Sequence, residues 1–126
     1  MGWTAILAIG IGAALGAWFR WGLGASLNGF FPTIPMGTLA ANLIGGYLIG
    51  LAVGFFEHHP GLSPALRLFM ITGFLGGLTT FSTFSAEAVV LITRGESAWA
   101  VVHVGGHLLG SLLLTWAGML TVKAIL

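Results

Sequence analysis

The chain has 126 residues, of which 57% are hydrophobic and 6% charged, with net charge +1, 21 glycines and no cysteine. Its mean hydropathy is +1.04; a soluble globular domain carries about a quarter charged residues, so the composition excludes that class and predicts an all-α integral membrane protein of one domain, residues 1–126. The composition also argues against disulfides and thiolate metal sites and a nucleic-acid partner, and no secretory leader is expected, since no basic segment precedes the first apolar run.

A membrane-spanning helix needs roughly 20 predominantly apolar residues, and four runs qualify. The first is predicted from about Trp3 to Leu23. Gly12 and Gly16 form a small-xxx-small pair, which lets a second helix approach closely. Arg20 follows one turn later on the same face. It reads either as a cation snorkelling to the interface or as the holder of an anion at a pore vestibule. Asn28, Pro32 and Pro35 mark the loop that follows.

The second span is predicted from about Met36 to Phe56, closed by Glu57, His58, His59 and Pro60. Thr38, Asn42, Gly46, Gly50 and Gly54 recur every four residues. Asn42 places a primary amide deep in a membrane helix, with two donors and no charge. One reading is an interhelical hydrogen bond worth ~0.6–2 kcal/mol; the other is a donor facing a ligand.

The third span, Pro64 to Thr93, contains GFLGGLTTFSTFSAE at 73–87. Gly73, Gly76 and Gly77 each weaken helical propensity by roughly 1 kcal/mol. Thr79, Thr80, Ser82, Thr83 and Ser85 then supply hydroxyls. The helix is expected to break at about Gly76 to Thr80, facing an ion site, because non-helical backbone at membrane depth survives only when covered by protein or a watery cavity. The plainer reading is a glycine-rich helix contact whose hydroxyls bond back to their own backbone. Phe81 and Phe84, three apart, fall near one face of the resumed helix. Glu87 lies one turn further on, either protonated or accepting from the Thr83 hydroxyl, with a proton-coupled role as its functional reading.

Arg94, Gly95, Glu96 and Ser97 form a tight connection to the fourth span, predicted from about Trp99 to the C-terminus. His103, His107, Ser111 and Thr115 are spaced by four along one stripe, the pattern of a wet path's wall. Two His at i, i+4 suit a metal, but none is expected, because no third carboxylate or His is evident on a neighbouring stripe. Asn42, the positive ring edges of Phe81 and Phe84, and the hydroxyls of Ser82, Thr83, Ser111 and Thr115 make a donor set for a small, hard anion. A cation pore would use carbonyls or carboxylate rings. Arg67 and Lys123 fall on one side of the membrane and Arg20 and Arg94 on the other, so the positive-inside count is tied. Such a tie fits either an orientation set by something subtler than charge or a chain that inserts both ways and pairs antiparallel.

These residues resemble the Fluc (CrcB-type) fluoride channels of microbes. The resemblance rests on Gly12-x3-Gly16-x3-Arg20, GTLAANLIGGYLIG at 37–50, the 73–87 motif and Gly110-Ser111…Thr115, and covers essentially the whole chain. It implies a fluoride-selective channel that passively exports F⁻ across the plasma (inner) membrane and relieves fluoride toxicity. It implies a dual-topology antiparallel homodimer with two pores at the interface, a fluoride path along Phe81, Phe84 and Asn42, and a structural Na⁺ held by backbone carbonyls, by position those of Gly76 and Thr79. Ser82, Thr83, Glu87, His107, Ser111 and Thr115 are the further pore candidates, with Arg20 at the vestibule. The alternatives are a small proton-coupled or cation exporter, for which Glu87 is the only intramembrane acid, and a structural subunit. An enzyme is not expected.

Overall fold

The computed structural model describes residues 2–126. Four stretches of helix are long and apolar enough to cross a membrane. Helix α1 is Gly2–Leu27 and α2 is Met36–His58. The third span, Pro64–Thr93, is divided into α3, residues 64–78, and α4, Phe81–Thr93; α5 is Ser97–Ile125. Each span lies within a few residues of its predicted limits.

Local chemistry sets several ends. Pro35 offers α2 no side-chain cap. Asn28 supplies one from across the loop, its Oδ1 accepting from the N–H of Gly37 at 2.8 Å and of Thr38 at 3.2 Å. Ser63 caps α3 by accepting from Leu66 N–H at 3.2 Å, with Pro64 in the first turn, where its missing N–H costs nothing. Gly95, at φ +76°, turns the chain between α4 and α5, a conformation that suits glycine.

Glycine then brings the helices together. α1 packs on α3; a Cβ on Gly73 would lie 3.1 Å from the Gly12 Cα, and one on Gly77 would lie 3.0 Å from the Ala13 Cα and the Ala17 nitrogen. α2 packs on α5 in the same way, with Gly50 against Gly118 and Gly46 against Ser111. Lipid tails are as apolar as leucine, so such helices associate through close backbone contact and interhelical hydrogen bonds. The second contact is reinforced by Thr115, whose Oγ1 donates to the Gly46 carbonyl at 2.9 Å, and by Tyr47 with Thr121 at 2.9 Å. Ala41, Leu75 and Leu78 form the buried core between α2 and α3.

Two features depart from expectation. Leu68–Leu75 within α3 is π-helical, a wider turn than the α-helix that no residue in LFMITGFL announces. The break lies at the far end of the expected 76–80 window. Gly76–Leu78 is still helical, and only Thr79 (φ −88°, ψ 156°) and Thr80 (φ −148°, ψ 121°) are extended. Gly77 therefore serves close packing, and the interruption belongs to the threonines.

Candidate ion pathway

The break is built around Thr80. Its N–H donates to Asn42 Oδ1 at 2.8 Å, and its carbonyl accepts from Asn42 Nδ2 at 2.9 Å. Its Oγ1 accepts from Thr83 N–H at 3.1 Å and so caps α4, the usual service of a threonine in that place. In an uninterrupted helix Thr80 N–H would bond the Gly76 carbonyl, and Thr83 N–H the Thr79 carbonyl. Both donors are diverted to side chains, so the two carbonyls predicted to hold a cation are among those left without their helical donors. The Thr79 hydroxyl is itself committed, donating to the Leu75 carbonyl at 2.8 Å. An oxygen-seeking cation would thus be met by backbone, and the residues present fit it.

Arg20 does not snorkel freely. Its Nε donates to the Gly77 carbonyl at 3.1 Å, fastening the end of α3 to α1.

Beside the break lies a cavity of about 620 Å³. Asn42, Phe81, Phe84, His107, Ser111 and Thr115 all line it, together with Gly76 and Thr79. No Asp, Glu, Lys or Arg is among its lining residues. Phe81 is 79% exposed and meets Phe84 edge to face, with centroids 5.5 Å apart at 64°. Phe84 in turn lies against His103 at 5.3 Å and His107 at 4.6 Å. Six of the predicted pore residues are therefore gathered on one wall.

The other three, and the predicted vestibule residue Arg20, are not. Ser82 is exposed, its Oγ 3.4 Å from Thr80 Oγ1; Thr83 is half-buried; and neither lines the cavity, nor do Glu87 and Arg20. Two of the gathered residues are also partly committed. Thr115 gives its hydrogen to Gly46, and Asn42 Nδ2 reaches both the Thr80 carbonyl and His107 Nδ1, the latter at 2.9 Å. Both contacts of Asn42 Nδ2 join it to neighbouring helices, as the interhelical hydrogen-bond reading expects.

Glu87 finds a partner other than the one expected. Thr38 Oγ1, on α2, donates to its Oε2 at 2.7 Å, in place of Thr83. Its Oε1 lies 3.5 Å from His103 Nε2. The packing of α4 on α5 also supplies what the spacing of the two histidines lacked. Glu87, His103 and His107 offer ligand-type atoms all within 4.8 Å of one another, correcting the expectation that no third group stands near. His103 is 1% exposed and His107 4%. Glu87 Oε1, His103 Nδ1 and His107 Nε2 have no hydrogen-bond partner. Thr38 as the partner of Glu87 and Thr80 as the partner of Asn42 are contacts that the sequence did not reveal. The signal for Thr38 was its place one turn before Asn42 on the same stripe.

Comparison with known proteins gives a consistent result. The family described as "CrcB-like protein, Camphor Resistance (CrcB)" matches residues 7–119. A protein of Nitrosospira multiformis is 63% identical over 123 residues, covering 98% of this chain and 96% of its own length. One from Cupriavidus pinatubonensis is 58% identical over 125 residues, covering 99% of each chain. One from Pseudomonas putida is 62% identical over 116 residues, covering 92% of this chain and 91% of its own. All three relatives carry the name fluoride-specific ion channel FluC.

Proposed function

The chain belongs to the CrcB-like family, and from that premise we propose that it is a fluoride-selective channel that passively exports F⁻ from the cytoplasm. The observation that carries the reading is the edge-to-face Phe81–Phe84 pair on a cavity with no charged residue in its lining. Ring edges are positive where ring faces are negative. A small anion can be drawn along them without meeting a full charge that would trap it. Exit needs no nucleotide: an inside-negative potential drives an anion outward by ~2.3 kcal/mol per 100 mV. The biological need follows from acid–base chemistry. HF is neutral and crosses membranes, then ionises in the less acidic cytoplasm, where fluoride accumulates.

The pathway is completed by a second, antiparallel copy. Phe81 and Gly76 are exposed and Thr79 is half-buried where they line the cavity, and a partner's equivalents would close it there and make two pores. The released carbonyls of Gly76 and Thr79 would hold Na⁺ at the centre of that pair, and the ion when bound supplies charge that ties the two breaks together. Two carbonyls from each copy make an oxygen set of the kind an unwound membrane helix offers to sodium. Hydrogen-bonded to Thr38 and away from the cavity wall, Glu87 is poorly placed for a proton-coupled exporter.

The experiment is fluoride efflux from proteoliposomes, read by electrode, with chloride as control. The reading requires fluoride efflux far above chloride efflux; no fluoride efflux, or equal passage of both anions, would refute it.

A further inference from the structure

The Asn42 amide is fixed by a single backbone residue. Thr80 N–H meets Oδ1 at 2.8 Å and the Thr80 carbonyl meets Nδ2 at 2.9 Å. Exchanging the amide's nitrogen and oxygen would set donor against donor and acceptor against acceptor, so only one orientation satisfies both groups. Nδ2 carries two hydrogens. One goes to Thr80, and the other points to His107 Nδ1 at 2.9 Å. That ring nitrogen must then be bare and accepting. A neutral imidazole carries its hydrogen on the remaining nitrogen, so His107 Nε2 is a donor. It is buried and has no partner, and a buried N–H left so is unfavourable unless something mobile accepts from it.

We propose that Thr80 and Asn42 act as a relay that holds His107 as a neutral Nε2–H donor, offered to an acceptor in the cavity beside Phe84. Resting on the channel reading above, that acceptor is the permeating fluoride or the water that accompanies it. The ring lies 4.6 Å from Phe84, and both residues line the same cavity. The relay also gives the Glu87–His103–His107 group its character. A metal at His107 Nε2 would need the lone pair that this tautomer replaces with hydrogen. His103 Nε2 faces two acceptors, the Phe84 carbonyl at 3.3 Å and Glu87 Oε1 at 3.5 Å, and so carries its own hydrogen toward them. The trio is therefore a hydrogen-bonding cluster rather than a transition-metal site.

The test is ring-nitrogen NMR of the full chain in lipid bilayers with isotope-labelled histidine, using His107→Gln to assign the His107 signals. The expected spectrum is a neutral ring protonated at Nε2. In Asn42→Asp the carboxylate accepts rather than donates, so a hydrogen should appear on His107 Nδ1. A wild-type ring protonated at Nδ1, or at both nitrogens, overturns the proposal, and that measurement needs no variant to fold. So does an Asn42→Asp protein whose His107 is unchanged. In flux assays His107→Gln, whose amide keeps an N–H donor near the ε position, should exceed His107→Leu by at least about tenfold, the scale of one hydrogen bond to an ion. Equal flux in the two overturns the donor role and leaves the channel standing. Absence of fluoride flux in the wild type sinks the channel reading and leaves the tautomer result intact.

Discussion

Arg20 on α1 donates its Nε hydrogen to the carbonyl of Gly77 on α3, 3.1 Å away. The carbonyls at the end of a helix lack intrahelical donors, and here a cation reaches across from a neighbouring helix to serve one of them. The residue thus connects the first glycine-paired contact to the break. Arg20→Ala should destabilise the protein by about 1–2 kcal/mol, the upper range for interhelical hydrogen bonds in membranes. Arg20→Lys should recover part of that loss. Unfolding in detergent would measure both, and an Arg20→Ala protein as stable as wild type would show that this bond holds nothing.

Asn42→Asp should be more damaging than its near-identical shape suggests. The carboxylate keeps an acceptor for Thr80 N–H but faces the Thr80 carbonyl and His107 Nδ1 with oxygen instead of N–H. It also places a negative charge on the wall of an anion path. Fluoride flux should fall to background while the dimer peak in size exclusion persists. Flux at the wild-type level would remove Asn42 from the pathway.

Backbone and side chain separate cleanly at the break. Thr79→Ser keeps both the released carbonyl and the hydroxyl that bonds Leu75, so it should conduct. Gly77→Val should fail to assemble, because even a Cβ there would lie 3.0 Å from Ala13 and Ala17 atoms of α1. Exhaustive sodium removal should inactivate the channel slowly. Activity unaltered by sodium removal would argue that the Gly76 and Thr79 carbonyls serve no cation.

The tied charge count predicts insertion in both orientations. Two added Lys in the 94–97 connection should fix one orientation and impair fluoride resistance in cells, and an oppositely biased copy should restore it. Tagging the C-terminus of the wild-type chain reports the same property directly: a single orientation would contradict dual topology.

The four spans were legible because each is an unbroken run of apolar residues of membrane length, and the glycine pairs because their four-residue spacing survives any detail of packing. The break was legible in kind but not in place. Gly76 and Gly77 look like breakers in sequence, yet they stay helical while the chain extends at Thr79 and Thr80. What decides this is Asn42, 38 residues away, whose amide outcompetes the helix for Thr80. No local propensity reveals such a partner. The same limit hid Thr38 as the partner of Glu87, and it hid Glu87 as the third member of the histidine group; both depend on how α2, α4 and α5 meet. Phe81, Phe84, His107, Ser111 and Thr115 could be picked out as candidates, and the fold brings them to one cavity, because a stripe of polar or aromatic residues on an otherwise apolar helix is visible without knowing the neighbour.

In the proposed channel, ring edges rather than apolar filling carry the anion. Phe81 and Phe84 differ in burial, one 79% exposed and the other half-buried, but they share an edge-to-face contact on the cavity. If they only fill space, an aliphatic replacement of comparable volume should cost less than ~1.5 kcal/mol of stability and leave transport intact. If their edges offset the dehydration of fluoride, an aliphatic chain has no positive rim to substitute. The deciding measurement is fluoride efflux from proteoliposomes containing Phe81→Ile or Phe84→Ile, each first verified as an assembled dimer by size exclusion. Folded dimers with little fluoride efflux are expected in both; wild-type efflux through both would overturn the ring-edge pathway.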